Sequence, residues 1–287
     1  MTEEGAVRPL TNRAGEWLLR RVPPLRRSLD QVTLHAAAWT EENERALAGD
    51  PAAPLWVVLG DSTAQAIGLA DHQAGYVGRV RGLLEQRDGR PWRVLNLSRS
   101  GAVVADVLDT QLPALRAAGA VGTLTSAVVG GNDLRRTPTP LLLTGLRELV
   151  GALPSGALVA TMPRGLKEDK ARAANRLLRA LAPEQGLLVA DLWARTGPPW
   201  RGKYADGLHP NAAGVTDWVA AIADALGLPA EQDPPYVRPR SPRCDLPRRR
   251  GRVAIRLLRR PLRRGHRRRA WGWHPLWRRP GGGAGRR

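Results

Sequence analysis

The 287-residue chain carries 45 Lys+Arg against 26 Asp+Glu, a formal charge of +19, but the excess is concentrated at one end. Residues 238–287 hold 19 of the basic residues, all Arg, and one acid, Asp245, so 26 bases face 25 acids in the remainder. The high pI therefore cannot class the body as nucleic-acid-binding, and the single cysteine, Cys244, excludes an intrachain disulfide or a Cys-based metal site.

In chain order, the opening segment MTEEGAVRPLTNRAGEW begins with acids and lacks an apolar h-region. No uncharged apolar run approaches the ~20 residues of a spanning helix, so a soluble, cytoplasmic protein is expected. Helical periodicity over residues 15–47 is interrupted at Pro23-Pro24, where a helix must break, and turn residues from Gly49 to Pro54 close a helical lead-in spanning 1–54. Five apolar runs of about six residues follow, at 55–59, 92–97, 124–129, 157–162 and 187–192, each rich in Val and Leu on both faces. Between and after them lie stretches of helical spacing at 76–86, 103–118, 141–153, 167–182 and 211–226. Strand alternating with helix predicts an α/β fold with a parallel sheet, in one domain spanning 55–228. Residues 229–287, rich in Pro and Arg, cannot form a core and are expected to be a disordered tail. Its Arg259–Arg269 cluster, followed by Trp271, Trp273 and Trp277, suits an anionic lipid surface or nucleic acid.

Ligands of such sheets bind beyond the carboxyl ends of the strands, so the residues after each run carry the chemistry. The first run ends in Gly60-Asp61-Ser62-Thr63, expected at a strand-to-helix turn where a helix N-terminus supplies free N–H groups. The second leads to Ser98-Arg99-Ser100-Gly101, and the third to Gly130-Gly131-Asn132-Asp133. Asp206-Gly207-Leu208-His209 precedes the last helix, at a spacing that lets the carboxylate orient the imidazole. Singly, each has a plainer explanation: Ser62 as an N-cap, Gly101 as a turn former, Asn132 and Asp133 as a turn, His209 as a structural histidine. Jointly, four polar segments delivered in order to one crevice outweigh those explanations. His35 and His72 are the only other histidines of the body, so no metal or cofactor site is expected.

These blocks resemble those of the SGNH/GDSL hydrolase superfamily, the GDSL-type esterases and lipases, over roughly residues 55–226. The resemblance implies a three-layer α/β/α sandwich with a five-stranded, mainly parallel, flavodoxin-like sheet, and cleavage of carboxylic esters. It makes Ser62 the nucleophile, His209 the general base and Asp206 its partner, with the oxyanion hole formed by Ser62, Gly101 and Asn132. Thr63 stands where many members have Leu, and the frequent Thr after Gly101 is missing; neither touches a catalytic group. Position 64 is Ala, so the Gly-x-Ser-x-Gly elbow of the α/β-hydrolases is absent. Acetyl groups on a sugar, or short acyl chains, are the candidate esters, with loops 71–78 and 134–140 as expected pocket walls. Two other readings stand beside this one: acyl transfer from the same serine, and a non-catalytic binding module whose tail binds anionic lipid or nucleic acid.

Overall fold

The burial of one strand explains the layering. In β1 (Leu55–Gly60), Trp56 and Val58 enter one hydrophobic cluster, Leu55, Val57 and Leu59 enter another, and every residue is buried. A strand apolar on both faces must be covered by helices on both sides. In this computed structural model, which describes residues 23–229, the chain builds those two covers.

The described chain begins with α1 (Pro23–Ala48). Its two prolines occupy the first helical positions, where a missing N–H costs no intrahelical bond, so the expected break is a helix start. Residues 1–22 of the expected lead-in lie outside the described residues. After β1 come a series of turns, a single 3₁₀ turn (His72–Ala74), α2 (Tyr76–Asp88) and β2 (Arg93–Asn96). Helix α3 then runs through Val104–Asp106, a π turn at Val107–Gln111, and Leu112–Ala117. The remainder comprises β3 (Leu124–Val128), α4 (Asp133–Arg136), α5 (Thr139–Ala152), β4 (Leu158–Ala160), α6 (Glu168–Glu184), β5 (Leu188–Ala190), α7 (Leu192–Arg195) and α8 (Ala212–Ala225). All five apolar runs form strands, and all four ladders are parallel, in the order β2-β1-β3-β4-β5.

Helices α2 and α8, with Trp39 of α1, cover one face of the sheet; α3, α5 and α6 cover the other. The fold is thus the three-layer α/β/α sandwich expected, with a wholly parallel sheet of flavodoxin-like order. Leu59 and Leu158 are fully buried, and truncating either to Ala would cost about 2–5 kcal/mol. At the β2 edge the Asn43 side chain of α1 accepts from the Asn96 N–H (2.7 Å) and donates to the Asn96 carbonyl (2.8 Å), occupying backbone groups that would otherwise be open to another strand.

From β1 the chain crosses to β2 on one side and later to β3 on the other. That reversal opens a crevice beyond the carboxyl ends of β1 and β3. Among the described residues, no helix is long and apolar enough to cross a membrane. The Arg- and Trp-rich segment within 230–287, and Cys244, lie outside the described residues.

Candidate active site

Glycine ends β1 because β3 comes too close for a side chain. A Cβ on Gly60 would lie 2.5 Å from the Val128 carbonyl oxygen. Buried Gln111, from the π turn of α3, takes both backbone groups of Gly60 through its amide, each at 2.9 Å. The residue before the Asp61-Ser62 turn is thereby fixed without a further strand.

No helix begins at Ser62, contrary to the expectation from sequence. Asp61 Oδ1 accepts from the Thr63 N–H (2.9 Å), an Asx-type turn that competes with helix formation. Ala66 at φ 64° then turns the chain left-handed. The segment continues in turns, and the next α-helix starts only at Tyr76. Ser62 is therefore neither a helix N-cap nor under the dipole of a following helix.

Asp206 and His209 lie on a tight hairpin closed by an antiparallel bridge between Tyr204 and Pro210 and by the Ala205 N–H donating to the His209 carbonyl (2.9 Å). Asp206 Oδ1 accepts the N–H groups of Leu208 (3.0 Å) and His209 (2.8 Å), and its Oδ2 lies 2.7 Å from His209 Nδ1. One carboxylate thus closes the turn and orients the ring. Asn211 caps α8 by accepting from Ala213 and Gly214, which anchors the hairpin to that helix. His209 Nε2 is 3.0 Å from Ser62 Oγ, joining residues 147 positions apart. Burial alone would raise the Asp206 pKa, but hydrogen bonds and charge from His209, helped by Ser28, hold it well below the usual carboxylate range.

Gly101 adopts φ 80°, a left-handed conformation that favours glycine. Buried Asn132 donates its amide to the Ala102 carbonyl (3.0 Å), and Asp133 accepts the Val104 N–H (2.9 Å), so the loop after β3 grips the loop after β2. Gln65 completes the frame: its amide donates to the Ser98 carbonyl and accepts from the Ser100 N–H, both at 3.0 Å. Within the described residues, neither the Ser62 nor the Gly101 N–H donates to a protein acceptor. Ser62, Gly101, Asn132, Asp206 and His209 all line one cleft of about 1010 Å³.

Sequence reasoning missed several parts of this site. Ser28 of α1 donates to Asp206 Oδ2 (2.7 Å), and Leu29 and Val32 line the cleft beside it. No local signal announces Ser28, whose partner is 178 positions away. Gln65 and Gln111 were equally silent. Of the expected walls, 134–140 contributes Leu134, Arg135 and Arg136, but 71–78 does not line the cleft. Glu42 of α1 accepts from Gln73 and contacts His72, pinning that loop away from Ser62. The walls come instead from α1 and from residues within 162–166 and 200–209. Among the described residues, no group of three or more His, Cys, Asp or Glu is arranged to hold a metal ion.

The GDSL-like Lipase/Acylhydrolase family matches residues 58–216, more than half of the chain. Among solved structures, Axe2, an acetylxylan esterase from Geobacillus stearothermophilus, is 21% identical, with a TM-score of 0.52 over 63% of this chain and 97% of its own. TesA is 25% identical, with a TM-score of 0.50 over 60% of this chain and 97% of its own. LAE5, described as an alpha/beta hydrolase enzyme from the metagenome of Lake Arreo, Spain, is 21% identical, with a TM-score of 0.50 over 61% of this chain and 95% of its own. No curated protein matches the chain.

Proposed function

As a member of the GDSL-like Lipase/Acylhydrolase family this chain is an ester hydrolase, and we propose that it cleaves carboxylic esters through an acyl-enzyme on Ser62. The observation that carries this reading is the continuous chain Ser62 Oγ, His209 Nε2, His209 Nδ1, Asp206 Oδ2, with separations of 3.0 and 2.7 Å, opening on the cleft.

A serine hydroxyl attacks an ester only if its proton leaves as the new bond forms. His209 Nε2 takes that proton while Asp206 holds the opposite nitrogen as the donor and stabilises the imidazolium. The carbonyl oxygen gains negative charge as Ser62 Oγ bonds to the acyl carbon. The Ser62 and Gly101 N–H groups and the second amide hydrogen of Asn132 supply donors there, already oriented before the charge develops. The bond to the alcohol oxygen then breaks, and His209 returns the proton to the leaving alcohol. Water repeats the sequence: it attacks the acyl carbon, His209 takes its proton, and the carboxylic acid leaves as Ser62 recovers its hydrogen.

The cleft has room well beyond an acetyl group, and Leu29, Val32, Leu134, Met162 and Leu166 give it apolar walls suited to an acyl chain. An ester panel running from acetyl to long acyl, with Ser62→Ala as the blank, tests the proposal. Turnover abolished in Ser62→Ala is expected; full activity in that variant would overturn the assignment.

A further inference from the structure

Four arginines line the cleft that holds Ser62 and His209: Arg135, Arg136, Arg164 and Arg201. All four are exposed, and among the described residues none pairs with a carboxylate, unlike Arg81, Arg179 and Arg195 elsewhere. Among the described residues, the only acids lining the cleft are Asp206 and Asp61. Asp206 is occupied by His209 and Ser28, and Asp61 is buried beneath its own turn, accepting from Thr63. The charge presented to a ligand is therefore strongly positive.

Two of these arginines are held in place. Arg136 Nη1 donates to the Gly101 carbonyl (2.9 Å), which sets its guanidinium beside the loop proposed to receive the scissile carbonyl. Arg164 Nε donates to the Trp193 carbonyl (3.0 Å), and its guanidinium lies 5.2 Å from the centre of the Trp193 ring. A Cβ on the next residue, Gly165, would meet the Trp200 ring at 3.4 Å, so the segments bearing Arg164 and Arg201 are in contact. Arg135 and Arg136 end the helix after β3, Arg164 follows β4 and Arg201 follows β5, so the basic residues lie to one side of Ser62, which follows β1. Like charges gathered in this way repel one another unless an anion joins them, and a neutral ester gains nothing from them. Planar guanidinium forks match the oxygens of phosphate and carboxylate.

We propose that the substrate is an anionic ester, carrying a phosphate or carboxylate group that this arginine rim binds while the scissile carbonyl sits at Ser62. The position of the scissile bond rests on the serine-hydrolase reading; the anion site does not.

The test uses the full chain and two matched pairs: 1-butyrylglycerol 3-phosphate against 1-butyrylglycerol, and 4-(butyryloxy)benzoate against its benzamide. At low salt, kcat/KM is expected to favour the charged member of at least one pair by on the order of tenfold or more, mainly through KM, with the preference shrinking as salt is added. The pair with the larger ratio identifies the anion. In the combined variant Arg135→Gln/Arg164→Gln/Arg201→Gln the ratio should fall toward one; Arg136 is kept because it touches the Gly101 loop. The Arg-rich 238–287 segment is identical in both proteins, so the difference between them reads the cleft. Equal kcat/KM within both pairs, or a ratio indifferent to the triple substitution, would overturn the proposal. Should no ester be cleaved, the Ser62 reading fails by itself. Calorimetric titration of the unmodified and triple-variant proteins with glycerol 3-phosphate and 4-hydroxybenzoate then decides. Saturable binding lost in the variant sustains the anion site, and no difference between the proteins sinks it.

Discussion

The two halves of the cleft are made of different materials. Immediately around Ser62, Gly101 and Asn132, the surfaces offered to a ligand are largely backbone and short side chains, tied together by Gln65, Gln111, Asn132 and Asp133. Farther out, on the helix after β3, beyond β4 and β5, and along α1, they are long side chains: Arg135, Arg136, Arg164, Trp200, Arg201 and Leu29. On the proposed reading, donors for a transient charge must not move when it forms, and a cross-tied, mostly buried half meets that need. A wall that selects substrates needs reach and character instead. On the proposed mechanism the donors for that charge belong to the tied half and selection to the half built of long side chains, while His209 reaches Ser62 from the 204–210 hairpin.

Substitutions test this division. His209→Ala should lower kcat on an activated ester by about 10⁴-fold or more, since no other described imidazole adjoins Ser62. Residual activity within tenfold of the parent would place the base elsewhere. Asn132→Ala should cost on the order of 10²–10³ in kcat with little change in KM, because its donor matters mainly as charge develops. A loss confined to KM would move Asn132 to the selecting half.

Ser28→Ala probes the hydrogen bond by which α1 reaches Asp206. Removing a single bond to Asp206 should lower kcat by about three- to tenfold. It should also lower the melting temperature at neutral pH. Asp206 has a depressed folded pKa, so the stability it contributes is present above the ordinary carboxylate pKa and lost as pH falls through the lower folded value. The Ser28→Ala deficit should therefore fade in strong acid; a deficit constant with pH would show that Ser28 acts only by packing. Asp61 has the opposite sign. Burial is the largest influence on it and raises its pKa, so its ionisation at neutral pH opposes folding, and that cost disappears as pH falls through the raised value toward the ordinary one. Asp61→Asn keeps an oxygen for the Thr63 N–H and should melt at a higher temperature near pH 7, with no gain in acid. A lower melting temperature at neutral pH would refute this.

The sequence disclosed the strands and the chemical groups better than the ties and walls that surround them. A parallel sheet buried on both faces writes itself as continuous Val and Leu runs, so all five strands were legible. Gly60-Asp61-Ser62 and Asp206 to His209 were legible because short turns join each chemical group to its support within a few residues. The turn after β1 was not: a following helix was expected, but a carboxylate taking its own backbone N–H and an alanine at positive φ override the usual strand-to-helix passage. Ser28 and Gln111 act on residues far along the chain, and no local pattern encodes such a contact. The cleft walls depended on which loop Glu42 would pin aside, a tertiary matter.

The most direct test of the account is covalent labelling at Ser62. Treatment of the full chain with an alkyl fluorophosphonate, followed by mass spectrometry of its peptides, should find one adduct on the peptide bearing Ser62, absent in Ser62→Ala and strongly slowed in His209→Ala. An unlabelled Ser62, or equal labelling in the His209→Ala protein, would contradict it.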